Sequence, residues 1–148
     1  MNTVFRLVRL PLGEQLRLSK LVALRAAIEP LLAAVPLPRL ARMLGVRVAT
    51  DGAAPLPRLS ADALSPADLR ALAAVHRLTR RGRRRDRRCL RHALLAGSAL
   101  RRHRPVLRIG AASRDGALAA HAWLEVLGGR IDTGDATDYT PLRGTRRT

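Results

Sequence analysis

The chain has 148 residues and a mass of 16.1 kDa, enough for one domain with one hydrophobic core. Hydrophobic residues make up 47% of it, which excludes a wholly disordered protein, and the aromatic content of 2% argues against binding single-stranded nucleic acid by stacking. The net charge of +17 leaves two interpretations open: a footprint for phosphates or an acidic partner, or solvated arginines that reflect a GC-rich genome.

The first third of the chain predicts helices. Apolar residues recur at three- and four-residue steps from Glu14 to Val35, with Pro30 expected to kink or divide this helix. A short helix over Pro38–Leu44 is expected to end at Gly45, since glycine readily takes the left-handed conformation that terminates helices. The longest charge-free apolar segment here, 30–38, is far shorter than the ~20 residues that span a bilayer.

Two further helices follow a predicted loop at 51–60. Ser65, followed by a proline and then by an acid three residues on, indicates the start of a helix that runs to about Thr79. Seven arginines within 80–88 predict an exposed linker, because like charges repel. A third long helix is predicted over roughly 89–102.

The last part of the chain has the period of strands. Strands are predicted at 106–109, 120–127 and 130–133, with turns at Asp115-Gly116 and Gly128-Gly129. The predicted fold class is therefore α+β, with helices first and a small antiparallel sheet after them. We expect one compact unit, in which a helical segment over 1–50 covers the core and serves for docking, and 61–148 forms the core itself.

Cys89, the only cysteine, cannot form an internal disulfide or a cysteine-based zinc site. It is predicted at the start of a helix and behind a run of arginines, and both features stabilise a thiolate. A lone cysteine is also commonly a buried small hydrophobe, so a role in chemistry depends on a partner. With no secretion signal in the sequence, we expect a cytoplasmic protein with a reduced thiol and no membrane partner.

The candidate partner is His121, whose alternative is a buried core histidine. On a strand it shares a face with Trp123 and Glu125. A two-residue turn at Gly128-Gly129 places Glu125 opposite Asp132, and so puts Asp132 on the His121 face, where an acid orients an imidazole. Asp135 is the rival acid, which would need a bulge at position 134 to reach that face.

The remaining histidines, His76, His92 and His103, have no metal-binding spacing, so neither a metal nor a cofactor is expected. His92, three residues after Cys89, is predicted to lie on the helix surface, because thiol activation needs a base placed by geometry.

Three segments together resemble a known family: 89–110, Ala120-His121-Ala122-Trp123-Leu124-Glu125 and Tyr139-Thr140-Pro141-Leu142. They are similar to the lasso-peptide leader peptidases, the protease half of the lasso biosynthesis B protein, within the transglutaminase-like cysteine enzymes. In that family a leucine- and arginine-rich helical part precedes a cysteine that begins a helix with the pattern C-L-x-x-S, and an A-H-A-W-x-E strand follows. Ala93 occupies the serine position here.

The resemblance implies a transglutaminase/papain-like core with a Cys-His-Asp triad. Its activity would be to remove the leader from a ribosomally synthesised lasso precursor before a separate cyclase closes the ring. Carried onto this chain, Cys89 is the nucleophile, His121 the general base and acid, and Asp132 the orienting acid, with Asp135 as the alternative. The implied partners are the precursor leader, a separate leader-recognition protein and the lasso cyclase, and nucleic acid is not among them.

Two other classes of function stay open. The charge of +17 and the arginine run are also typical of a basic nucleic-acid-binding protein, although the chain has no recognisable binding motif. An inactive transglutaminase-like scaffold is the third interpretation. Cys89 distinguishes them, because a nucleic-acid binder has no need of this thiol.

Overall fold

The apolar periodicity of the first third produces two helices that cover one side of the core. The structure is a computed structural model that describes residues 11–80, 88–114, 116–133 and 136–143. Helix α1 spans Leu12–Ala34 and helix α2 spans Leu37–Met43. Gly45, with φ +76°, follows the end of α2 as predicted.

Helix α1 continues through Pro30, so of the two expected outcomes, a kink or a division, the division does not occur. Leu21 and Ile28 are buried before Pro30, and Leu31 and Leu32 pack on the same core after it. Packing before and after Pro30 therefore offsets the loss of the hydrogen bond that proline cannot donate.

Helices α3 and α4 agree with the predicted starts. Helix α3 spans Pro66–Arg80, and the Ser65 hydroxyl accepts a 3.2 Å hydrogen bond from the Asp68 N–H, as expected of a cap. Helix α4 spans Arg88–Ala99 and is followed by a 3-10 turn over Arg101–His103, so it ends earlier than predicted. The predicted arginine linker covered 80–88, but Arg80 is the last residue of α3 and Arg88 the first of α4. Residues 81–87 lie outside the described residues. None of the described helices combines the length and the apolar character needed to cross a membrane.

The sheet has five strands and is mixed, which corrects the expectation of an antiparallel sheet. Strands β2 (Val106–Arg114), β3 (Ala117–Val126) and β4 (Gly129–Ile131) form an antiparallel meander. Two short strands lie on the other side of β2: β1 (Arg47–Val48) is parallel to it and β5 (Thr140–Pro141) is antiparallel. Two-residue strands carry no periodicity of their own, so the sequence did not predict them.

The turn between β3 and β4 consists of Leu127 and Gly128, with φ +53° and +74°, rather than Gly128-Gly129 as predicted. Gly129 is the first residue of β4, where a side chain would meet the backbone of Leu59, since an added Cβ would lie 2.7 Å from its Cα. Glu125 therefore pairs with Arg130. The register differs from the predicted one by two residues, so every side chain keeps its predicted face.

The core lies between helix α4 and the sheet. Leu94, Leu95 and Leu100 from the helical side are fully buried, as are Leu107 and Leu124 from the strands. Helices α1 and α3 pack on the other sides of α4. This arrangement of helices on a small sheet confirms the α+β class.

A buried carboxylate holds three parts of the helical layer together. Asp68 at the start of α3 is fully buried, and its oxygens lie 2.6 Å from Arg17 Nη2 of α1 and 2.5 Å from Arg102 Nη2 beyond α4. Ser65 donates a third bond of 2.7 Å, and His103 Nε2 lies at 3.2 Å. Burial by itself raises the pKa of Asp68, but these hydrogen bonds outweigh it and hold that pKa well below its usual value.

Replacing this carboxylate should destabilise the fold. We expect Asp68→Asn to lower the free energy of unfolding by about 3 kcal/mol, because the charge that binds two guanidinium groups is lost while the site stays buried. Urea denaturation at neutral pH measures the change. Asp62→Asn, at an exposed aspartate of the 3-10 turn over Ala61–Ala63, is the control and should change it by less than about 0.5 kcal/mol. Equal effects of the two variants would contradict this role for Asp68.

Candidate functional site

Cys89 is the second residue of α4 and is partly exposed, with a free thiol. The structure thus places it in the first turn of a helix, as predicted. Because the N–H groups of a first turn have no partner within the helix, they carry a partial positive charge toward this end. The location suits an anionic sulfur and an oxyanion formed beside it.

His121 lies on β3, directly opposite Gly110 of β2, and is 7% exposed. Its ring stacks on Tyr139, with ring centres 4.9 Å apart and planes 29° from parallel. On the strand itself, the Trp123 ring lies 6.2 Å away at 21°. The imidazole is therefore held by aromatic rings, which limits its rotation.

Cys89 and His121 line the same cavity, which has a volume of about 250 Å³. No hydrogen bond joins the thiol to the imidazole among the described contacts, and bonds of this kind are often long before substrate binds. Aliphatic side chains from α1, α2, α4, β2 and β3 form the remaining wall, so the cavity suits an apolar group of a ligand. Its lining comprises Leu32, Leu37, Cys89, Leu90, Ile109, Ala120, His121 and Ala122.

The side chain of Asp132 is fully buried just beyond β4. Its carboxylate accepts a 3.2 Å hydrogen bond from the Ala136 N–H and lies 3.1 Å from Arg130 Nε and 3.5 Å from Arg58 Nη2. None of these described contacts of Asp132 reaches the His121 ring. The rival acid, Asp135, lies outside the described residues.

Below His121, a polar network fixes the strand. The Trp123 Nε1 donates to Glu125 Oε1 at 3.2 Å, and Arg108 Nε donates to Glu125 Oε2 at 2.5 Å. Arg108 also pairs with Asp51, and this hydrogen bond, aided by one from the Ala53 N–H, lowers the pKa of Asp51 to about 2. Trp123 and Glu125 thus contact each other on the face that the alternation predicts they share with His121.

His92 is 5% exposed, so the prediction that it lies on the helix surface is wrong. Packing by α3 covers it, and the His76 ring approaches edge-on with centres 6.3 Å apart. Burial, together with His76 and Arg88, lowers the pKa of His92 to about 4, while Asp132 acts in the opposite direction. At neutral pH His92 is thus an uncharged core histidine one turn after Cys89.

Sequence reasoning assigned no role to Gly110 or to Tyr139. A Cβ at Gly110 would lie 2.9 Å from Tyr139 Cβ and 3.0 Å from Trp123 Cζ3, so only glycine leaves room for both rings beside His121. The available signal was the scarcity of aromatic residues, because Tyr139 is one of three in the chain. Among the described residues, no group of three or more His, Cys, Asp or Glu could hold a metal ion.

Comparison with known proteins identifies one family. Residues 31–144 match the family model of the Transglutaminase-like superfamily, which is more than half of the chain. Neither a curated protein nor a solved structure matches significantly. The superfamily includes cysteine peptidases.

The space at Gly110 can be tested by adding a methyl group. We expect Gly110→Ala to lower the free energy of unfolding by about 1–3 kcal/mol and to change the near-UV circular dichroism of Trp123, because one ring must move. Gly13→Ala is the matched control: nothing lies within 4 Å of its added Cβ, so stability should hold or rise. An unchanged spectrum and stability for Gly110→Ala would contradict this packing.

The buried His92 predicts a pH dependence of stability. Folding lowers the pKa of His92 from 6.5 to about 4. As the pH falls, this histidine is therefore protonated in the unfolded chain before it is protonated in the folded protein. Its contribution is complete above pH 6.5 and falls toward pH 4, by up to about 1.4 kcal/mol per pH unit. Urea denaturation of the native protein and of His92→Gln across this pH range measures the contribution of His92. The free energy of unfolding of the variant should depend less on pH. Parallel pH profiles would show that His92 does not titrate in this way.

Proposed function

Because this chain belongs to the transglutaminase-like superfamily, we propose that it is a cysteine peptidase with Cys89 as nucleophile and His121 as general base and acid. The observation that carries the proposal is the cavity of about 250 Å³ that both residues line. Thiol catalysis needs a cysteine close to an imidazole that can accept its proton, and two such side chains that line one cavity meet this need.

The proposed reaction is an acyl transfer to sulfur. The Cys89 thiol gives its proton to His121, and the sulfur attacks the scissile carbonyl. His121 then returns the proton to the leaving amine as the C–N bond breaks, which leaves a thioester. Water, deprotonated by His121, hydrolyses the thioester and restores the thiol. The backbone N–H of Cys89 is one donor for the oxyanion.

For the orienting acid we propose Asp132, with Asp135 as the alternative. The register of β3 and β4 supports Asp132, because extending it by one residue beyond Ile131 sets Asp132 opposite Trp123, on the face that holds His121. Its buried carboxylate already interacts with Arg58 and Arg130. An acid in this role fixes the tautomer of the neutral imidazole and stabilises the imidazolium that forms from it.

The proposed substrate is the precursor of a lasso peptide, from which the enzyme removes the leader before a separate cyclase closes the ring. The sequence pattern supports this choice: a cysteine followed by leucine at the start of a helix, and the A-H-A-W-x-E strand of residues 120–125. The proposed partners are a separate leader-recognition protein and the cyclase. The aliphatic wall of the cavity suits an apolar side chain next to the scissile bond.

Mass spectrometry of a candidate precursor mixed with the recognition protein and this chain tests the activity. We expect Cys89→Ala and His121→Ala to lower the cleavage rate at least ~1,000-fold while the fold is kept, because each removes a group that acts in bond breaking. His76→Gln, at an exposed histidine, is the control and should cleave at the native rate.

Cleavage by Cys89→Ala at a rate near that of the native protein would overturn the peptidase assignment. Alkylation offers a second measurement, since Cys89 is the only thiol and iodoacetamide labels a single site. Labelling should abolish cleavage. If labelled protein instead keeps a tight, salt-sensitive affinity for duplex DNA and native protein cleaves nothing, the nucleic-acid class of function replaces this one.

The two candidate acids can be compared in the same assay. We expect Asp132→Asn to lower the cleavage rate ~100-fold or more, because the amide no longer stabilises the imidazolium, and Asp135→Asn to have a much smaller effect. Thermal denaturation of both variants separates a loss of activity from a loss of fold. The reverse order of activities would assign the acid to Asp135.

A further inference from the structure

A second cavity lies between α1 and the end of α4 and shares no residue with the one that holds Cys89. Its volume is about 390 Å³, within the range of small-molecule sites. Ser98 and four cationic side chains line it: Arg17, Lys20, Arg101 and Arg102. We call it the basic cleft.

Two of its cations are held in place by the protein. Arg17 Nη2 donates to Asp68 Oδ1 at 2.6 Å and to the Ala99 carbonyl at 2.5 Å. Arg102 Nη2 donates to Asp68 Oδ2 at 2.5 Å and to Ser65 Oγ at 2.9 Å. Since one buried carboxylate orients both guanidinium groups, their remaining N–H donors are positioned before any ligand arrives.

The other two cations have no such partner. Lys20 and Arg101 are exposed, and neither makes a hydrogen bond or an ion pair within the described part of the chain. The Cβ of Arg101 packs against Gly45: a Cβ added to that glycine would lie only 2.9 Å from it. Asp68 thus pairs with only two of the four cations of this cleft, Arg17 and Arg102.

We propose that the basic cleft binds a multiply charged oxyanion, either a phosphate group or paired carboxylates. Guanidinium groups bind both kinds of oxyanion through paired N–H donors, and the ammonium of Lys20 adds a point charge. The Ser98 hydroxyl supplies one more donor. Ala99 follows Cys89 by ten residues of the same helix, roughly 15 Å at 1.5 Å per residue, so the cleft is separate from the proposed peptidase site.

Isothermal titration calorimetry of the full chain tests this proposal, with sodium pyrophosphate and triglutamate as separate probes at constant ionic strength. We expect the native protein to bind at least one probe with 1:1 stoichiometry. Lys20→Ala/Arg101→Ala should bind that probe at least ~10-fold more weakly, because it removes the two unpaired cations. Arg39→Ala/Arg42→Ala removes the same charge from exposed positions on α2 and should bind as the native protein does.

Tighter binding of pyrophosphate would identify a phosphate group as the ligand, and tighter binding of triglutamate would identify an acidic peptide. The proposal fails if the native protein binds neither probe, or if both double variants lose affinity equally, since the effect is then one of net charge. Cys89→Ala should bind like the native protein, so this test stays independent of the peptidase assay. Circular dichroism of each double variant confirms that the fold is kept.

Discussion

Helix α4 is buried on all sides, and its packing positions both the helical layer and the sheet. All residues from Arg91 to Gly97 are buried, so the helix is covered on every side. At Gly97 the covering is close, since an added Cβ would lie 2.4 Å from Val46 Cγ2 and 3.2 Å from Leu124 Cδ1. A helix packed in this way has little freedom to slide or rotate, and its first turn therefore presents Cys89 at a fixed position beside the sheet.

The few aromatic residues are concentrated around one side chain. Trp123 and Tyr139, both of the aromatic residues in the described part of the chain, lie beside His121. The rest of the core is aliphatic, with leucine, valine and alanine predominating. Aromatic rings are rigid, and their stacking restricts the rotation of an imidazole. Gly110 makes this arrangement possible by leaving the space that the two rings fill.

Four of the arginines have a structural role that neither interpretation of the charge anticipated. Buried carboxylates each receive guanidinium groups: Asp68 at the helices, Asp132 beyond β4 and Glu125 on β3. Such pairs satisfy buried charge rather than adding much stability of their own. Lys20 and Arg101 of the basic cleft differ, because neither pairs with an acid in the part of the chain that the structure describes.

The elements that could be predicted from the sequence are those with local signals. Ser65 caps α3, Cys89 falls in the first turn of α4, and the alternation along β3 assigns His121 its face, because caps and periodicity depend only on neighbouring residues. Tertiary structure decided the rest. Strand β1 exists only because β2 offers it an edge, the β3–β4 turn shifted because Leu59 passes over Gly129, and His92 became buried because α3 packs on α4. Each of these outcomes depends on residues that are distant in the chain, and no local pattern records them.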